Sequence, residues 1–139
     1  VTKEKNLGDI LPVVERHSKY YEEKLKDFVQ EDELLWRDDE NNANIVIRYG
    51  TMLRHGNVWI PWGRLEVSHA SKDGSLDLIE YAKKVLVKLG LKRFYDEDAE
   101  GGGLCLARDE WRECAICYIN PDFPEGYWEN HTLCDKMRI

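Results

Sequence analysis

The sequence lacks the features that mark the common ligand-handling sites, and each absence removes a class. No stretch approaches the roughly 18 consecutive apolar residues of a membrane-spanning helix, so no membrane role is expected. No basic run exceeds two residues, as at Lys83-Lys84, and the net charge is −7. Nucleic acid needs clustered Lys and Arg against its phosphates, so a nucleic-acid partner is not expected either. There is no Gly-rich phosphate loop and no nucleophile elbow, and no cofactor is implied. Four cysteines in 139 residues fall well short of a disulfide scaffold. No internal repeat is present. No signal peptide is visible, but a chain that begins at Val1 makes this weak evidence on compartment. A cytoplasmic location is preferred to a secreted one, without being fixed.

What remains is an ordinary globular composition with a surplus of acid and of large aromatics. Hydrophobic residues supply 42%, enough for a core in a chain long enough to fold unaided. We read residues 1–139 as a single domain, with an irregular segment at 120–139 that carries proline and aromatics.

The first periodic segment, Asp9 to Val29, predicts a helix. Ile10, Val14, His17, Tyr21, Leu25 and Phe28 recur every three or four residues. Asp9 is the expected N-cap, and Pro12 falls in the first turn. Glu31 to Glu33 extends or ends this helix, and Arg37 to Ala43 reads as a loop. The period then changes to that of strands at Ile45–Tyr49 and Val58–Val67. A turn at His55-Gly56 would place Tyr49 opposite Trp62, Val46 opposite Leu65 and Gly50 opposite Pro61. Pro61 cannot donate to a ladder, so its strand must be an edge or bulged there. Ser75 is the expected cap of a second helix, Leu76 to Leu89, closed by Gly90. A short strand at Lys92–Tyr95, an acidic loop at Asp96–Gly103 and a hairpin of Leu104–Ala107 with Arg112–Ile119 complete the pattern. The expected fold is α+β: an antiparallel sheet of four to five strands, in two hairpins, with two helices on one face.

The cysteines allow three readings. Cys114, Cys117, His131 and Cys134 stand as C-x2-C-x13-H-x2-C, a spacing that suits tetrahedral zinc. Against it, residues three apart on a strand point to opposite faces. A turn at Asp109-Glu110 would instead face Cys105 with Cys114 and leave Cys117 for Cys134, as disulfides. Asn130-His131-Thr132, a glycosylation sequon, would suit a secreted protein with such bonds. The third reading is reduced thiols packed as small hydrophobes.

Arg54-His55-Gly56 resembles the Arg-His-Gly signature of the histidine phosphatases, in which the His accepts phosphate and the Arg binds it. The resemblance covers three residues and lacks the acidic or Gln residue that usually follows. The triplet is equally accounted for by a β-turn, where Gly suits a positive φ. A spatially assembled catalytic site would draw on Arg54, His55, Arg64, Glu66 and His69. His17, on an apolar stripe, reads as a packed core residue.

Two features point to binding. Trp59 and Trp62 share a strand but face opposite ways, so a one-sided core cannot take both. Tyr127 and Trp128 add aromatics near the C-terminus. The acids cluster as Glu31-Asp32-Glu33 with Asp38-Asp39-Glu40 around Trp36, and again as Asp96, Glu97 and Asp98. The expected function is a non-catalytic protein-binding domain, of the inhibitor, immunity or antitoxin sort. It would recognise a basic protein through Trp36, Asp38, Asp39, Trp59, Trp62, Asp96, Glu97, Asp98, Tyr127 and Trp128. The alternatives are a secreted, disulfide-containing glycan- or ligand-binding domain, and a small enzyme or zinc protein.

Overall fold

Pro12 occupies the first turn of a helix, where its missing N–H costs no intrahelical bond. In the computed structural model, which describes residues 10–55, 58–71, 76–91, 105–108 and 113–122, this helix (α1) runs Leu11–Lys24. Its N-cap is Ile10, which makes no side-chain cap bond; Asp9 lies outside the described residues. The expected stripe is the buried one, with Ile10, His17, Tyr21 and Leu25 all enclosed. The helix ends at Lys24, and the Leu25 N–H closes on the Tyr21 carbonyl at 2.8 Å.

The chain then departs from expectation. Val29–Asp32 (β1) and Leu35–Asp38 (β2) form an antiparallel hairpin in place of a helix extension and a loop. Every residue of β1 is exposed, so its charges remain in water and leave no apolar period to read. Leu34 takes the left-handed turn position at φ +57°, and its side chain is buried. Burial is what an uncomfortable backbone is held by here, since a non-glycine residue seldom sits at that angle.

Ala43–His55 (β3) and Val58–His69 (β4) make the long central hairpin. Its register differs from the sequence reading. His55 pairs with Val58, and Gly50 is an extra residue between the pairs Tyr49–Gly63 and Thr51–Trp62. Val46 therefore faces Glu66, and Ile47 faces Leu65. The bulge lies on β3 and not at Pro61, which pairs with Met52. Pro61 is tolerated because the last strand pairs with β4 from Gly63 onward. Its carbonyl is taken by the Asn120 amide at 2.9 Å, which puts its nitrogen on the same ladder-free side.

The second helix (α2) runs Leu78–Leu89, capped by Asp77, whose carboxylate accepts the Glu80 N–H at 3.2 Å. Ser75, the expected cap, lies outside the described residues. Gly90 closes the helix in the left-handed conformation, as expected. Cys105–Arg108 (β5) and Glu113–Ile119 (β6) form the last hairpin, with Arg108 opposite Glu113. The strands make one antiparallel six-stranded sheet in the order β1-β2-β3-β4-β6-β5. The expected strand at Lys92–Tyr95 and loop at Asp96–Gly103 lie outside the described residues.

Both helices pack on one face. Tyr21 and Leu25 of α1 and Leu78, Tyr81, Ala82, Val85, Leu86 and Leu89 of α2 meet alternate residues of β2, β3, β4 and β6. Each large side chain enclosed this fully contributes about 1.5–3 kcal/mol. The fold is α+β, and no helix among the described residues is long and apolar enough to cross a membrane.

Candidate functional site

Asp38 shows how the structure divides the acidic residues. It ends β2, where its alternation with Trp36 turns it inward. One carboxylate oxygen accepts the backbone N–H groups of Glu40 and Asn41, at 3.1 and 3.3 Å. The other accepts the Asn41 amide at 2.8 Å and the Tyr81 hydroxyl at 2.6 Å. Asp38 thus shapes the turn to β3 and anchors α2. Burial pushes its carboxyl up, but these four donors outweigh that and hold it below the usual carboxylate value. An acid so engaged is unavailable to a partner, which corrects its expected binding role.

Trp36 is corrected in the same way. It pairs with Ile45 and lies in the core, 1% exposed. Trp62 is also 1% exposed, but on the sheet face away from the helices. The premise of a one-sided core fails there, because Ser68, Cys114 and Ile116 on that face are buried as well. Trp59 is half-buried. Of the first acidic cluster, Glu31, Asp32 and Glu33 at the β1 turn and Asp39 and Glu40 after β2 are exposed. Arg37 lies between them, donating to Glu31 and, at 2.6 Å, to Asp39. Asp96, Glu97, Asp98, Tyr127 and Trp128 lie outside the described residues.

The sulfur readings are tested by register. Cys105 faces Ile116, and Cys114 faces Ala107, because the connection of the last hairpin is longer than two residues. Cys105 and Cys114 are therefore diagonal neighbours, on the order of 7–8 Å apart, beyond the Cα separation a disulfide spans. Cys117 lies in the helix-side core, while Cys114 is on the opposite face, paired with Ser68. Two ligands on opposite faces of a sheet cannot hold one zinc ion, which removes the four-ligand site with His131 and Cys134. Those two residues, and the Cys117–Cys134 pairing, lie outside the described residues. Among the described residues no His, Cys, Asp and Glu gather as a metal site.

The catalytic candidates are not brought together. His55 pairs with Val58 and His69 with Ala43, so they stand at opposite ends of a ladder on the order of 35 Å long. Arg64 and Glu66 do meet, at 2.9 Å, with Arg48 on the other Glu66 oxygen at 3.2 Å. This is an ion-pair ladder on the face away from the helices, whereas His69 shares the Val67 face. Arg54 pairs with Trp59 beyond the bulge.

A different constellation is assembled. His17 of α1, 1% exposed, has both ring nitrogens occupied. Nε2 lies 3.1 Å from an Asp122 oxygen, and Nδ1 lies 2.6 Å from the Tyr49 hydroxyl. The Tyr49 hydroxyl lies 2.7 Å from that of Tyr21. Arg16 holds Asp122 from outside, with bonds of 2.6 and 3.2 Å, and the Asp122 N–H is held by Asn120 at 2.8 Å. Gly63 makes room: a Cβ there would come within 3.0 Å of the Tyr21 hydroxyl and 3.2 Å of the Tyr49 ring.

The proton positions follow from the donor inventory. The Arg16 guanidinium, the strongest influence, holds the Asp122 carboxyl below its ordinary value, so it is an acceptor. Nε2 then carries the histidine proton. Burial pushes His17 down, so the ring is neutral and Nδ1 accepts from Tyr49. Tyr49 accepts in turn from Tyr21. Burial raises both phenols well above their ordinary value, so both remain protonated. Chemically, this is a one-directional proton chain from a sealed phenol to a half-exposed carboxylate. His17 is a core residue, as expected, but its polar role was missed. The signal lay in His17, Tyr21 and Tyr49 all falling at inward positions, where polar tips need partners.

The chain matches no protein-family model, no curated protein and no solved structure.

Proposed function

We propose that the domain is a non-catalytic protein-binding module of the inhibitor, immunity or antitoxin sort, recognising a basic partner through the acidic end of its sheet. The observation that carries this reading is the exposure of Glu31, Asp32, Glu33, Asp39 and Glu40 around a β1–β2 hairpin whose nearest cation is Arg37. Such a field accelerates encounter with a cationic surface and repels an acidic one. The aromatic part of the interface narrows, because Trp36 and Trp62 are core residues and Trp59 is half-buried. Among the described residues, partner binding therefore rests on charge at this end of the sheet.

The test is a rate measurement. A partner recovered on the immobilised domain is purified, and its association rate is followed at rising salt. The rate is expected to fall steeply with salt, and to fall further for the triple variant Glu31→Lys, Asp32→Lys, Asp39→Lys, with circular dichroism unchanged. A rate indifferent to both salt and charge reversal would sink the proposal.

A further inference from the structure

We propose that His17 is a pH-operated latch, fastening α1 and the turn after β6 to β3 while it is neutral and loosening them when it is protonated. This goes beyond partner binding and does not depend on it. The geometry sets up the device. One imidazole joins three separate parts of the chain: its own helix, Tyr49 of β3 and Asp122 beyond β6.

The polarity of the chain makes the joint sensitive to one proton. In the neutral state each hydrogen has an acceptor: Tyr21 donates to Tyr49, Tyr49 to Nδ1, and Nε2 to Asp122. A proton added at Nδ1 must itself be donated, and the Tyr49 oxygen is the atom in reach, at 2.6 Å. The Tyr49 hydrogen loses its acceptor, and it either stays unpaired or turns to the Tyr21 oxygen and displaces the Tyr21 hydrogen. Either way the His17–Tyr49–Tyr21 cluster holds one phenol hydrogen more than it has acceptors for, next to a Tyr21 that is 0% exposed. A buried donor without a partner is costly, and opening the joint to water removes the cost.

The surrounding groups bias the switch without removing it. From α1, Arg16 and Tyr21 face the ring; from β3, Tyr49; from the turn after β6, Asp122. On β4, Gly63 lies against the Tyr21 hydroxyl and the Tyr49 ring and carries no side chain. Asp122 favours the charged ring, while Arg16 and burial oppose it, and burial is the largest influence. The ring accordingly titrates below the ordinary histidine value.

The experiment is an NMR titration of the intact chain from about pH 8 to about pH 5, following the His17 ring and amide exchange together. His17 is expected to titrate below an ordinary histidine. As pH falls from about 6.5 toward that depressed pKa, exchange across Ser18 to Tyr21, corrected for intrinsic pH dependence, should quicken by up to about tenfold per unit and then level off, while Ile45 to Ile47 stays protected. Tyr49→Phe removes the hydroxyl whose hydrogen protonation displaces, so the coupling of His17 titration to α1 exchange should disappear. His17→Gln should abolish the transition. Titration of His17 without any change in α1, or an unchanged α1 transition in His17→Gln, would overturn the proposal. The wild-type titration decides even if a variant does not fold.

Discussion

At the scale of single residues, polar side chains inside the molecule carry more of the architecture than the exposed charges do. Asp38 holds a turn and a helix at once, so Asp38→Ala should cost about 2–4 kcal/mol in urea unfolding, from several stranded donors. Tyr81→Phe removes one of those bonds and should cost about 1–2 kcal/mol, with the two effects non-additive in a double-mutant cycle. Gly63 is needed for space. Gly63→Ala drives a Cβ against the Tyr21 hydroxyl, Ile47 and Tyr49, and should cost about 1–3 kcal/mol. None of this is legible from composition. The sequence marks Asp38 as one acid among several, and only the inward alternation from Trp36 distinguishes it. His17, Tyr21 and Tyr49 could have been flagged as inward polar tips, but Asp122 could not. It lies 105 residues from His17 and arrives through the pairing of β6 with β4.

At the scale of elements, periodic segments were readable and edges were not. The α1 stripe, the α2 stripe with Gly90, and the β3–β4 hairpin all announce themselves by spacing, because each buries one face. The β1 strand buries nothing, so its residues look like a helix end. Registers slipped for a related reason. A bulge at Gly50 and a longer connection before Glu113 shift pairing without altering the alternation of apolar residues. The β1–β2 hairpin also supports a prediction of its own. Arg37 is the cation between Glu31 and Asp39, and its surface pairs are screened by water. Arg37→Ala should leave the unfolding midpoint within experimental scatter while raising the association rate with a basic partner. A large drop in midpoint would show that the hairpin depends on those pairs.

At the scale of the whole molecule, the titrating groups act in one direction. His17 is held below its unfolded value, so its contribution is complete above about pH 6.5 and is lost as pH falls through its folded pKa. Asp38 and Asp122 are likewise held down, so their contributions persist above about pH 4 and are lost at lower pH. Stability should therefore decline on acidification in two stages, with no matching loss on the alkaline side up to the phenol range. Urea midpoints at about pH 8, 5.5 and 3.5 would check this. A midpoint that rises on going from pH 8 to 5.5 would contradict the assignment of a neutral, buried His17.

The exposed β1 strand has a colloidal consequence. An open sheet edge is a template for another copy of itself, and here the carboxylates of Glu31 and Asp32 keep copies apart. That protection is electrostatic, so it fades near the isoelectric point of about 5.1. The same descent in pH unfastens α1. Turbidity should accordingly appear in mildly acid solution well before the chain unfolds, and the domain is best concentrated, stored and crystallised above neutrality.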